Sequence, residues 1–148
     1  MSVYSERVRK AIFGKLNVAG VLSSGTGLAT GVYNAKAPDD AEMPYLIFQQ
    51  QAASPVEYSM GVTNALETSF WIVKGVADKH SSTTKSAQEV AETISQDAET
   101  ALGTSMTLTG GGTVTWLARV NDMPPIESQM GDRYIYQRGF LLRVSVEA

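Results

Sequence analysis

The stretch Leu66-Glu67-Thr68-Ser69-Phe70-Trp71-Ile72-Val73-Lys74-Gly75-Val76-Ala77 decides the fold of this chain. Leu66, Thr68, Phe70, Ile72 and Val76 alternate onto one face, and Glu67, Ser69, Trp71 and Val73 onto the other. Large apolar side chains on both faces predict a central strand with neighbours on each side. After a short polar link, Ala87, Val90, Ala91, Ile94, Ala98, Ala101 and Leu102 recur with the spacing of a helix face. Ser86 and Glu89 have capping-box spacing at its start, and Gly103 follows where a helix commonly stops. A strand feeding a helix that lies back over the sheet makes one α+β core.

Toward the N-terminus, Ser2 to Leu16 reads as a first helix with Tyr4, Val8, Ala11, Ile12 and Leu16 along one stripe and Ser2 or Ser5 as its cap. Arg7, Arg9, Lys10 and Lys15 form either a solvated face or a contact for an acidic neighbour. The glycine-rich connection 23–31 lacks a third glycine at the dinucleotide spacing and has no Gly-Lys-Ser/Thr, so it does not read as a phosphate cradle. A short edge strand over Gly31 to Ala35, an acidic loop from Lys36 to Met43 and a second strand from Pro44 to Gln51 follow. Residues 52–65 then lead into the central strand. They carry Val56, Tyr58, Met60 and Val62, more apolar surface than a hydrated loop needs. The segment reads either as a tip packed on its own domain or as an arm for a partner.

Toward the C-terminus, Thr104 to Gly112 reads as a weak strand and a glycine turn. Thr113 to Asn121 is a strong strand, with Val114, Trp116, Ala118 and Val120 on one face and Thr115, Leu117 and Arg119 on the other. Asp122 to Asp132 reads as a second long loop, because Pro124 and Pro125 forbid ladder pairing; Met123, Ile126 and Met130 make it unusually apolar. The closing strand runs from Arg133 to Glu147. Tyr134, Tyr136, Phe140, Leu142, Val144 and Val146 share one face, interrupted by Arg138; Arg133, Gln137, Arg143, Ser145 and Glu147 share the other. The expected architecture is a single α+β domain over residues 1–148. It has a mixed, mostly antiparallel sheet of about five strands with two helices packed on one face.

Composition narrows the chemistry. The chain has 148 residues, of which 43% are hydrophobic and only 18% charged, with a net charge of −3. A thinly charged surface suits either an ordinary domain or one covered by partners. The negative balance argues against sequence-specific nucleic-acid binding. No apolar run is long enough to span a bilayer and the N-terminus has no signal-peptide core, so a protein assembled in the cytoplasm is expected. With no cysteine and His80 as the single histidine, a thiolate metal site or an imidazole triad is not expected. Glu67, on a half-buried strand, is the one carboxylate that stands out. It has no second acid or base at defined spacing, and pairing with Lys74 or a neighbouring arginine is the plain reading. No catalytic, cofactor-binding or metal residue is assigned.

The order of elements carries a resemblance. A helix, then Val32-Tyr33, a loop with a proline, Met43-Pro44-Tyr45-Leu46-Ile47-Phe48, then Phe70-Trp71-Ile72-Val73, a helix with an alanine/valine/isoleucine stripe, and a closing strand pair form one series. It resembles the tail terminator, or tail-completion, proteins of long-tailed bacteriophages and related gene-transfer particles, over nearly the whole chain. The resemblance implies a tail-terminator-like domain that assembles with itself into a hexameric ring. That ring caps the tail tube, ends its polymerisation and joins it to the head connector or stopper protein, without catalysis, cofactor or membrane. It implies a place in the virion at the head–tail junction, with DNA passing through the ring. The alternatives are another head–tail joining or tail-tube subunit of similar fold, or a small-ligand-binding α+β domain. Read this way, Tyr58, Met60, Ile126 and Met130 are the expected interface anchors, and Glu57, Arg133 and Arg138 their polar partners. Glu92 and Glu99, on the acidic outer face of the second helix, are expected on the opposite side of a head-to-tail contact.

Overall fold

The computed structural model describes residues 3–53, 66–130 and 133–147. Helix α1 spans Val3–Leu16 and α2 spans Ala87–Leu102. The strands are β1 (Val32–Asn34), β2 (Tyr45–Ala53), β3 (Leu66–Asp78), β4 (Thr113–Asp122), β5 (Ile126–Met130) and β6 (Arg133–Glu147). They form one six-stranded sheet in the order β1-β2-β3-β6-β4, with β5 also paired to β6. Only β1 and β2 run parallel; the other pairs are antiparallel. The expected α+β fold with a mixed, mostly antiparallel sheet is the one observed, with six strands rather than about five.

The central strand lies where its pattern places it, between β2 and β6. Its odd residues face the helices. Trp71, Val73 and Ala77 are fully buried with Val8, Ile12 and Leu16 of α1 and with Val90, Ala91, Ile94 and Ala98 of α2. Phe48 of β2 and Phe140 of β6 complete this layer, with the Phe48 and Trp71 rings 6.3 Å apart. Trp71 Nε1 donates to Ser69 Oγ at 2.9 Å, so the indole is buried with its polar edge satisfied. Ser86 caps α2 by accepting from Glu89 N at 3.2 Å, and the helix stops at Gly103, both as the sequence predicts. Ser5 caps nothing. It sits inside α1, 2% exposed, and donates to Glu67 Oε1 at 3.2 Å. Glu67 therefore points under the helices, on the opposite face of β3 from Lys74, and the two do not pair.

Three readings of the C-terminal third are corrected. Residues 104–112 form no strand. Met106 and Leu108 drop into the core, while Lys15 Nζ donates to the carbonyls of Leu102 (3.2 Å) and Ser105 and Arg7 Nη1 to that of Gly111 (3.0 Å). Cations of α1 thus take backbone acceptors that a neighbouring strand would otherwise use. Gly110, Gly111 and Gly112 then turn the chain with φ of 100°, 114° and 90°.

Second, residues 122–132 are not wholly a loop. Pro124 and Pro125 interrupt the ladder, but Ile126–Met130 resumes it as β5, from Ile126 opposite Gln137 to Met130 opposite Arg133. Chain interrupted by prolines can rejoin the same partner strand, because the break costs only the pairs at the prolines. Third, Trp116 does not share a face with Val114. A bulge between Val114 and Trp116 sets Trp116 opposite Ser145 and Leu117 opposite Val144, so Val114, Leu117 and Arg119 face the helices while Trp116 and Ala118 face away. One extra residue reverses the parity of everything after it.

Candidate functional site

The two faces of the sheet differ sharply in what covers them. Both helices lie on one face. On the other, the loop after β1 covers only the β1–β2 end, where Ala37 packs with Ile47, Val76 and Ile135, and Tyr33, Ala41, Met43 and Tyr45 flank them. Further across, Phe70 stands opposite Arg143 and Ile72 opposite Leu141. Ala118 and Trp116 of β4 continue the row, and Leu66 lies at its end. Leu66, Phe70, Ile72 and Leu141 are partly exposed, and Trp116 is 56% exposed. A contiguous apolar patch of this kind marks an interaction surface more often than a bare monomer face. Removing the rest of each side chain from water is worth roughly 1 kcal/mol apiece, about half of full burial.

Two cations stand in this patch. Lys74, on β3 next to Ile72, has its ammonium pKa lowered by burial. Arg143, beside Phe70, is exposed. Neither lies within ion-pair distance of a carboxylate among the described residues. The patch ends in a third cation that is paired. Arg133 Nε donates to Asp78 Oδ2 at 3.0 Å, and its Nη2 binds the same oxygen. Burial would raise the Asp78 pKa, but Arg133, the Ser81 hydroxyl and the His80 N–H together hold it below the usual carboxylate range.

The candidate residues fall into groups by face. Ile126 is 41% exposed and pairs with Gln137 on the open face; Arg133 lies on that face too. Met130 pairs with Arg133 at the end of the same hairpin. Glu57, Tyr58 and Met60 lie outside the described residues. Arg138, by contrast, faces the helices. It lines a cavity of about 250 Å³ with Glu92, Ser95, Gln96, Glu99, Arg119 and Asp122. There Arg119 Nη1 donates to both oxygens of Glu99, each at 2.9 Å, and Arg119 Nη2 to Asp122 Oδ1 at 2.5 Å. Glu99 thus has a cation in its own chain, which its sequence neighbourhood does not reveal. Glu92 accepts from Gln88 Nε2 at 3.3 Å, and Glu89 is exposed at the first turn of α2. Burial raises the Asp97 pKa.

Sequence reasoning missed the open-face patch itself. The alternation of β3 assigns both of its faces to the core, and only the position of both helices on one side leaves Phe70 and Ile72 uncovered. Among the described residues no group of three His, Asp or Glu side chains is placed to hold a metal ion, and no helix is long and apolar enough to cross a membrane.

No protein-family model matches the sequence, and no curated protein matches it. Its fold is similar to that of one chain in a solved structure of the virion of a native gene transfer agent particle. The match covers 100% of both chains with a TM-score of 0.63 at 18% identity.

Proposed function

We propose that this chain is a structural subunit of a phage-like virion, and within it a tail terminator. In this reading a hexameric ring of the chain sits at the head–tail junction, stops growth of the tail tube and offers its other rim to the head connector. The observation that carries the reading is the end-to-end likeness of fold to a chain of the gene transfer agent virion, with neither chain left over. The tail-terminator part rests on the residue pattern, whose two early pieces lie side by side in the fold: Val32 pairs with Leu46 and Tyr33 with Ile47.

Ring assembly also fits the energetics of the open face. Its partly exposed side chains offer roughly 5 kcal/mol in all if fully covered. Bringing two copies together costs an estimated ~4–15 kcal/mol. A single pairwise contact is therefore weak. Closing a ring gives every copy two such contacts and leaves no free end, so assembly is cooperative.

The test is to add the purified full-length chain to polymerising tail-tube protein from the same particle and image the tubes. Tubes of limited length with a ring on one end are expected. Tubes that grow to unchanged length with bare ends would refute the terminator role. Incorporation along the tube wall would favour a tube subunit instead.

A further inference from the structure

We infer that the open sheet face is the acceptor side of a head-to-tail contact, filled by the acidic solvent face of α2 from a second copy of this chain. The inference rests on the ring reading above and specifies its interface. On the acceptor side, Phe70, Ile72, Leu141 and Trp116 form an apolar centre, and Lys74 and Arg143 flank it without a carboxylate partner in their own chain. On the donor side, α2 carries Glu89 and Glu92 toward solvent and has no basic residue in its last turn or anywhere between Ala87 and Leu102.

The two surfaces match in charge and differ in identity, which is the requirement for a heterologous contact. They also lie on opposite sides of a two-layer domain, helices above and open sheet below, so a copy seated on one leaves the other free for the next. Lys74 makes the case sharper. A half-buried ammonium disfavoured by desolvation regains stability when a carboxylate arrives, and the last solvent around it leaves at the same time. The alternative donor in this chain, the basic face of α1, would bring Arg7 and Lys10 against Lys74 and Arg143 and is opposed by like charge.

Charge exchange tests the inference, with self-association measured by sedimentation velocity and folding checked by circular dichroism. Arg143→Glu alone, at an exposed position, is expected to weaken association on the order of tenfold, and Glu89→Lys/Glu92→Lys to do the same. A chain carrying Lys74→Glu, Arg143→Glu, Glu89→Lys and Glu92→Lys together is expected to assemble again, because both sides have exchanged sign. That recovery separates a contact effect from misfolding. Association unchanged by either single-sided variant, or lost in both and not recovered in the exchanged chain, overturns the inference. A wild-type chain that stays monomeric at all concentrations and with tube protein present overturns it together with the ring. Rings that follow the charge exchange but fail to stop tube growth leave this interface standing and remove the terminator role alone.

Discussion

The two faces of β3 are built from the same strand and differ in what they are for. Trp71 and Val73 are fully buried under two helices, whereas their neighbours Phe70 and Ile72, one residue away, are left half-covered beside Arg143 and Leu141. The covered face is satisfied within the chain: its apolar groups are buried, and Ser5, Glu67, Gln50 and Ser69 are linked by hydrogen bonds. The open face has apolar groups without cover and cations without partners. A strand apolar on both sides thus need not mean a strand buried on both sides in one chain; the second cover can belong to another subunit.

The sharpest way to break this comparison is to truncate one residue on each face. Trp71→Ala should cost ~3–5 kcal/mol of stability in urea denaturation, as large buried aromatics do. Phe70→Ala should cost the monomer no more than ~1–2 kcal/mol, for a side chain already half in water. If the two losses are equal, Phe70 is part of the fold and the distinction fails. Next comes Gly75, whose added Cβ would meet the Ala91 carbonyl oxygen at 2.8 Å and Ile94 Cβ at 3.0 Å. Gly75→Ala should push α2 off the sheet and cost ~1–3 kcal/mol by thermal or chemical unfolding.

The rim of the open face is tested by Arg133→Gln. Because Arg133 is 54% exposed, the loss at neutral pH should be only about 1 kcal/mol. Its pH dependence has a definite sign. The Asp78 pKa is depressed in the fold, so its stabilisation is complete above the unfolded pKa of ~3.9 and is lost as pH falls through the lower folded value. Removing Arg133 raises the folded value, so the acid-unfolding midpoint should move to higher pH. An unmoved midpoint would mean that Ser81 and His80 hold the carboxylate unaided. The smallest effect belongs to the helix side, where Glu99→Gln leaves Arg119 with Asp122. A loss of ~0.5 kcal/mol that shrinks with added salt is expected in the same unfolding measurement.

How much of this was legible in the sequence varies with the physics involved. The helices, β2, β3 and β6 were readable because each has a run of regular periodicity with local stop signals, such as Ser86 and Gly103. The face of Trp116 was not, since a bulge is set by pairing with β6 and leaves no mark in the alternation of β4. Strand β5 was hidden by Pro124 and Pro125, which end local pairing without preventing its resumption two residues later. The cis-acting partner of Glu99 comes from Arg119, 20 residues away, and no spacing rule joins a helix to a later edge strand. The open face was hidden for the same reason: alternation says which residues share a side and is silent on which side receives the helices.

The chain holds two tryptophans, and they report on opposite faces: Trp71 is 0% exposed and Trp116 56%. Acrylamide quenching of the tryptophan emission across a dilution series, with particle mass followed in parallel, reads the open face directly. The account predicts a quenchable component from Trp116 in dilute monomer that disappears as the mass rises to that of the ring. A ring that forms while Trp116 stays fully quenchable would contradict it and place the subunit contact elsewhere.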